Sequence, residues 1–130
     1  MAKTPNFPFR VRSYDVHVYF FQTDQAQLRQ ARELQDEIRG KFPQFKIKVW
    51  DKPIGPHGIG NFEVNLMKHE DFVEFVTWIP LNRRNFSVLI HPNTGNPLRD
   101  HTAHAMWIGE KQVLNLSVLT EDDDGYGYFS

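Results

Sequence analysis

Residues 14–21 read Tyr14-Asp15-Val16-His17-Val18-Tyr19-Phe20-Phe21, and their alternation is the starting point for understanding the chain. Val16, Val18 and Phe20 fall on one side, and the positions between them put polar and aromatic groups on the other. A period of two is typical of a β-strand with one buried face. This segment therefore predicts a core on one side of a sheet, with His17 and Tyr19 displayed on the open side.

The same alternation predicts strands over 45–50, 62–67 and 86–91, and a further strand is expected near 112–119. Helical spacing of apolar residues follows Thr23, a candidate N-cap, and stops at Gly40. A second helix is expected to begin near Glu70 and Asp71, and Pro80 should end or kink it. Two prolines and three glycines make residues 51–60 a loop.

The resulting order, β-α-β-β-α-β, is that of the ferredoxin-like split βαβ, an α+β fold in which two helices cover one face of an antiparallel sheet. Its spatial strand order of 4-1-3-2 places the first strand between the third and the fourth. Polar groups of these three strands then share the open face. We expect His17 to lie near His91, and Glu63 to lie towards the other end of the first strand.

Length and composition limit the possible classes of protein. The chain has 130 residues with 40% apolar and 14% aromatic side chains, which suits one domain over 14–120, with an irregular lead over 1–13 and a mobile acidic tail over 121–130. A net charge of −1 gives no basic field for nucleic acid or a membrane surface. The absence of cysteine excludes thiolate metal sites, and with no signal peptide or long apolar run we expect a cytoplasmic protein.

Histidine is the side chain that points to chemistry here, because it is the commonest ligand of transition metals and the commonest proton shuttle near neutral pH. Three of the six histidines lie between His91 and Gly109. Two histidines with a carboxylate form the facial triad of non-haem iron(II) enzymes, which leaves positions open for substrate and dioxygen. His17 and His91, with either His57 or Glu63, could supply such a set.

The segment Asp100-His101-Thr102-Ala103-His104 places two imidazoles three positions apart, where a helix would bring them to one face for a metal. A polar turn closed by Asp100 is the alternative. If His17, His57 and His91 hold the metal, His101 and His104 become proton-transfer candidates.

Three side chains are candidates for contact with a substrate. Arg99 could hold a carboxylate through a bidentate pair. Tyr19, together with Trp107, could line an aromatic-binding wall, although core packing is the usual fate of such residues. Glu63 shares the open face with them.

Six segments, spread over most of 14–116, resemble the DOPA 4,5-dioxygenase family of small extradiol, aromatic-ring-cleaving enzymes. They are Asp15-Val16-His17-Val18-Tyr19-Phe20, Gly55-Pro56-His57, Phe62-Glu63-Val64, Leu81-Asn82-Arg83, His91-Pro92-Asn93-Thr94-Gly95, and Asp100-His101-Thr102-Ala103-His104-Ala105 with Trp107-Ile108-Gly109.

The resemblance implies a ferredoxin-like, oligomeric protein, expected as a dimer, that cleaves L-DOPA or a related catechol with dioxygen. It implies a histidine-bound divalent metal, with Fe(II) favoured over Zn or another ion. Five histidines match family histidines: His17, His57, His91, His101 and His104. Two positions depart from the family pattern, because Asp15 replaces the first histidine of a His-x-His pair and Gly58 replaces a proline.

Two other classes of function remain open at this stage. A metal- or small-ligand-binding module without turnover is the alternative, because the ferredoxin-like sheet hosts many functions. An RNA-binding sheet would need exposed aromatics with a basic surround. The near-neutral charge, and the histidines on the open face, argue against RNA.

Overall fold

The computed structural model describes residues 7–121, which form five strands, three helices and one 3₁₀ turn. In chain order these are β1 (Ser13–Phe20), α1 (Gln25–Lys41), β2 (Lys46–Trp50), β3 (Gly60–Leu66), α2 (His69–Asn82), β4 (Ser87–Asn93), α3 (Pro97–Asp100), β5 (Met106–Ile108) and the 3₁₀ turn Leu116–Val118. Residues 1–6 and 122–130, which include nearly all of the expected tail, lie outside this range.

The strands form one antiparallel sheet in the order β2-β3-β1-β4-β5. The predicted ferredoxin-like arrangement is confirmed, since the first four strands stand in the order 4-1-3-2. The sheet has one more strand than expected, because β5 pairs with the outer edge of β4. With three residues, β5 is too short for its alternation to be visible in the sequence.

The core lies between the sheet and the two long helices. Val16, Val18 and Phe20 of β1 are completely or almost completely buried, as the alternation predicts. Leu34 of α1 and Phe75 of α2 are fully buried against the same cluster. This packing leaves the other face of the sheet free to carry polar side chains.

Three predicted details differ from the structure. α1 is capped by Asp24 and not by Thr23: the Asp24 carboxylate accepts from the backbone of the first helical turn at 2.9 and 3.1 Å. α2 continues past Pro80 to Asn82, because a proline this near the end removes few helical hydrogen bonds. No strand forms over 112–119, since β5 already occupies the neighbouring sheet edge and that segment makes only a 3₁₀ turn and an isolated bridge.

The register of the sheet determines which polar groups meet on the open face. His17 lies opposite Glu63 of β3 and Leu89 of β4, and Asp15 lies opposite Asn65 and His91. The expected separation of Glu63 from His17 is therefore wrong: β3 begins at Gly60, so Glu63 is mid-strand and pairs with the middle of β1.

None of the helices within residues 7–121 combines the length and apolar character that crossing a membrane requires.

Candidate metal centre

Four histidines meet on the open face of the sheet, although they come from three different kinds of element. His17 lies on β1 and His91 on β4, whereas His101 follows α3 and His57 lies in the loop between β2 and β3. Each is at most 7% exposed. The long loop is tied to the segment after β5 by a backbone hydrogen bond of 2.8 Å, which the Asn115 N–H donates to the Pro56 carbonyl.

Three of these histidines form a group with the spacing of metal ligands. One ring nitrogen from each of His17, His91 and His101 lies within 4.8 Å of the other two. The Nε2 atoms of His17 and His91 are 3.4 Å apart. A tetrahedral metal with bonds to nitrogen of about 2.0–2.1 Å separates its ligand atoms by about 3.3–3.4 Å. The spacing therefore matches that of two nitrogens on one ion.

The hydrogen bonds of the three rings leave the correct nitrogen available. His91 Nδ1 faces Pro92 O at 3.0 Å and His101 Nδ1 faces Pro97 O at 2.7 Å, and a carbonyl oxygen can only accept. His17 Nδ1 faces Asn61 Oδ1 at 3.1 Å. Each neutral ring thus carries its hydrogen on Nδ1 and presents a lone pair at Nε2, as metal-bound histidines do.

The surroundings keep the imidazoles of His17 and His101 uncharged. Burial, followed by the neighbouring His57 and His91, lowers the pKa of His17 well below its usual value. Burial and His91 also lower the pKa of His101, to about 4. The neutral imidazole is the form of histidine that binds metal. A cation placed between three ring nitrogens would remove the repulsion between their lone pairs. The donor set therefore fits a divalent transition metal with three protein ligands and open positions for other groups.

His57 lies beside this group rather than within it. Its ring centroid is 4.1 Å from that of His17 and 6.1 Å from that of His101. Its Nδ1 is 2.6 Å from the hydroxyl of Tyr19, whose ring stacks on Trp107 at 5.7 Å. The predicted aromatic pair thus exists, and Tyr19 is 2% exposed.

Two carboxylates stand next to the histidines. Glu63 Oε1 is 3.4 Å from His17 Nε2, and Asp15 Oδ2 is 3.9 Å from His91 Nε2. The Asn65 amide donates to both, at 2.7 Å to Asp15 and 2.8 Å to Glu63. Burial, and then the charge of Asp15, raises the pKa of Glu63. At the position where the family pattern has a histidine, Asp15 thus keeps a polar group beside the site.

A cavity of about 670 Å³ borders these carboxylates. Asp15, Asn65 and Glu63 line it together with Lys46 and Lys48 of the edge strand. The Lys48 ammonium is 3.7 Å from Glu63 Oε2. The cavity therefore offers groups of both charges next to the three histidines.

The remaining predicted residues lie around α3. Because α3 ends at Asp100, His101 and His104 do not act as one pair. His101 belongs to the three-histidine group, whereas His104 Nδ1 bonds Asp100 Oδ1 at 2.8 Å. The buried Asp100 also accepts from the Thr94 backbone and hydroxyl, at 2.8 and 2.7 Å, so it closes the polar turn. Arg99 is exposed on α3.

Sequence reasoning missed Asn61, whose carbonyl oxygen orients His17. The Asn61 amide nitrogen donates to Ile59 O at 3.3 Å, which leaves Oδ1 for the imidazole. The signal was present, because Asn61, Glu63 and Asn65 follow the same period of two. It was overlooked because the strand was predicted to begin at residue 62.

Comparisons with known proteins point to one family. A sequence model of the Dopa 4,5-dioxygenase family matches residues 14–118. A DOPA 4,5-dioxygenase of Amanita muscaria is 33% identical over 122 residues, covering 88% of this chain and 52% of that protein. An uncharacterized 21.2 kDa protein of Botryotinia fuckeliana is 45% identical over 115 residues, covering 82% of this chain and 63% of that protein. The chain thus spans 52% and 63% of the length of these relatives.

A solved structure shares both the fold and part of the sequence. The crystal structure of a candidate dioxygenase from Nostoc punctiforme superposes with a TM-score of 0.75 at 31% identity, covering 84% of this chain and 91% of that chain. Together with the match over residues 14–118, this establishes that the chain belongs to the Dopa 4,5-dioxygenase family.

Proposed function

We propose that this protein is an extradiol dioxygenase that cleaves the ring of L-DOPA or a related catechol. The observation that carries the proposal is the group of three buried imidazoles, in which one ring nitrogen of each lies within 4.8 Å of those of the other two. Three protein ligands leave room for a substrate, unlike a closed structural site with four. The name of the Amanita muscaria relative supports L-DOPA as the first substrate to test.

His17, His91 and His101 would hold the metal, and we favour Fe(II) over Zn or another divalent ion. Bound Fe(II) would supply redox chemistry together with open positions for the two catechol oxygens and for dioxygen. Zinc would occupy the same three nitrogens but has no accessible redox step. The assignment of His101 in place of His57 follows the 4.8 Å group.

The other predicted residues receive roles from their positions. His104, oriented by the buried Asp100, is proposed as the base that accepts a catechol proton. Glu63 is proposed to bind the substrate, because it lies between His17 and the cavity that would receive the catechol side chain. Arg99 as a carboxylate partner, the homodimer and the cytoplasmic location stay predictions.

The test is anaerobic loading with Fe(II), followed by L-DOPA and air while oxygen uptake and the visible spectrum are recorded. We expect one dioxygen consumed per catechol and a new yellow absorbance. His17→Ala, His91→Ala and His101→Ala should abolish both signals together with stoichiometric iron binding. His69→Ala, which changes an exposed histidine paired with Glu70, is the matched control and should leave both unchanged.

Stoichiometric iron binding without oxygen uptake on L-DOPA, caffeate or catechol would contradict the proposal. That result would favour the alternative, a metal- or small-ligand-binding module without turnover.

A further inference from the structure

A buried hydrogen bond between Tyr19 and His57 lies next to the three-histidine group, and the proposed ligand set does not use it. The hydroxyl oxygen of Tyr19 is 2.6 Å from His57 Nδ1. Tyr19 is 2% exposed and His57 6% exposed. Since water does not compete for a contact this deeply buried, its direction fixes where the hydrogen of His57 resides.

The direction follows from the need of each buried donor for an acceptor. The phenol of Tyr19 carries its hydrogen at neutral pH and is therefore a hydrogen-bond donor. Among the contacts of residues 7–121, His57 Nδ1 is the acceptor that this hydroxyl meets. If His57 donated from Nδ1 instead, the phenolic hydrogen would be buried without a partner, which costs about 1–3 kcal/mol. Tyr19 therefore donates, and Nδ1 accepts.

His57 then has the tautomer opposite to that of its three neighbours. The rings of His17, His91 and His101 carry the hydrogen on Nδ1, because each faces an oxygen acceptor. The hydrogen bond from Tyr19 occupies the lone pair of His57 Nδ1, so this nitrogen carries no hydrogen. A neutral ring that accepts at Nδ1 carries its one hydrogen on Nε2.

We propose that His57 is a hydrogen-bond donor to an oxygen-bearing ligand at the three-histidine centre, and that Tyr19 is the positioning residue that holds it in the Nε2–H tautomer. The ligand class is a catechol or another oxygen anion, which a donor beside the metal stabilises. This assignment rests on the proposed metal site. It gives His57 a role that a fourth metal ligand could not have, because a ligand must present a lone pair.

Long-range ¹H–¹⁵N correlation spectra of the zinc-loaded protein test the tautomers directly. We expect His17, His91 and His101 to show Nδ1–H with zinc-bound Nε2, and His57 to show Nε2–H. A zinc-bound Nε2 on His57, or a hydrogen on its Nδ1, would overturn the proposal. The measurement uses the unaltered chain, so it does not depend on the folding of a variant.

Tyr19→Phe tests the positioning role, because it removes the hydroxyl and keeps a ring to stack on Trp107. We expect the Nδ1–H tautomer of His57 to become populated in this variant. Tyr14→Phe is the matched control, since it removes a hydroxyl from the same strand on the helix-facing side, and it should leave His57 unchanged. An unaltered His57 spectrum in Tyr19→Phe would show that Tyr19 does not set the tautomer.

Zinc affinity is a second measurement that distinguishes a hydrogen-bond donor, as proposed for His57, from a metal ligand, as proposed for His101. His57→Gln should lower the affinity by less than about 10-fold, whereas His101→Gln should lower it by more than the roughly 10–100-fold typical of residues that only touch a ligand. Equal losses would overturn the assignment. Because both zinc experiments are independent of turnover, a failure of oxygen uptake with the expected spectra would reject the dioxygenase and not the role of His57.

Discussion

At the scale of single residues, the site holds a carboxylate, Glu63, in a largely buried position that disfavours its ionised form. Glu63 has a side chain that is 13% exposed, and it shares the Asn65 amide with Asp15. When two carboxylates share one amide donor in this way, their mutual repulsion raises the free energy of the ionised forms. The Lys48 ammonium, 3.7 Å from Glu63 Oε2, offsets part of this repulsion. A carboxylate buried in this way does not by itself stabilise the fold, which is consistent with the substrate contact proposed for Glu63.

Glu63→Gln tests this role. Glutamine keeps the size and the amide contact but removes the charge, so KM for the catechol should rise about 10–100-fold, the magnitude of a charged hydrogen bond. The metal-free protein should be at least as stable to urea as the unaltered chain. Glu33→Gln on the exposed side of α1 serves as the control. A loss of stability with an unchanged KM would mean that Glu63 is structural.

The placement of the strand histidines could be predicted from the sequence, whereas the relative placement of the two loop histidines could not. His17 and His91 follow from alternation and strand order, because a strand fixes the face of every side chain. His57 and His101 sit on irregular backbone whose course depends on distant contacts, such as the hydrogen bond from Asn115 to Pro56. Local patterns carry no information about such contacts, so the sequence alone did not show that His101, and not His57, groups with the two strand histidines.

At the scale of elements, the start of α1 shows how one residue sets a boundary. Asp24 Oδ1 accepts from the backbone N–H groups of Ala26 and Gln27, whereas the preceding Thr23 is exposed. Both residues are good helix caps by type, so composition alone does not choose between them. The choice depends on where the chain leaves β1, and that is set by the sheet.

Asp24→Ala should lower the free energy of unfolding by about 1 kcal/mol, because two backbone donors lose their acceptor. Thr23→Ala is the natural control and should change it by less than about 0.5 kcal/mol. Urea denaturation of the two variants in parallel gives the comparison. A larger effect at Thr23 would move the cap back to the residue that the sequence alone favoured.

At the scale of the whole molecule, the buried histidines link stability to pH. The folded chain holds His17, His57 and His101 with pKa values below 6.5, so between pH 6.5 and about 4 the unfolded chain binds more protons than the folded one. Stability therefore falls as pH falls through this window. Glu63 has a raised pKa, so it binds a proton more readily in the folded chain and offsets the effect of one histidine.

We expect the metal-free protein to lose up to about 1.4 kcal/mol of unfolding free energy per pH unit for each of these histidines. Urea denaturation at pH 7, 6 and 5 in the presence of a chelator measures the slope. His57→Gln should reduce the slope by the share of one histidine, and His69→Gln on the surface should not. A flat profile would mean that the histidines take up protons in the folded state.

The central position of β1 has a consequence for how the protein folds. His17 and His91 are 74 positions apart in the chain, and they meet only after β1 has paired with β4. Pairings of such high contact order form slowly, and a slip of one residue would turn His17 towards the helices. The proposed metal would therefore bind late in folding and only to the correctly aligned sheet, so its binding would favour the folded topology over a sheet of shifted register.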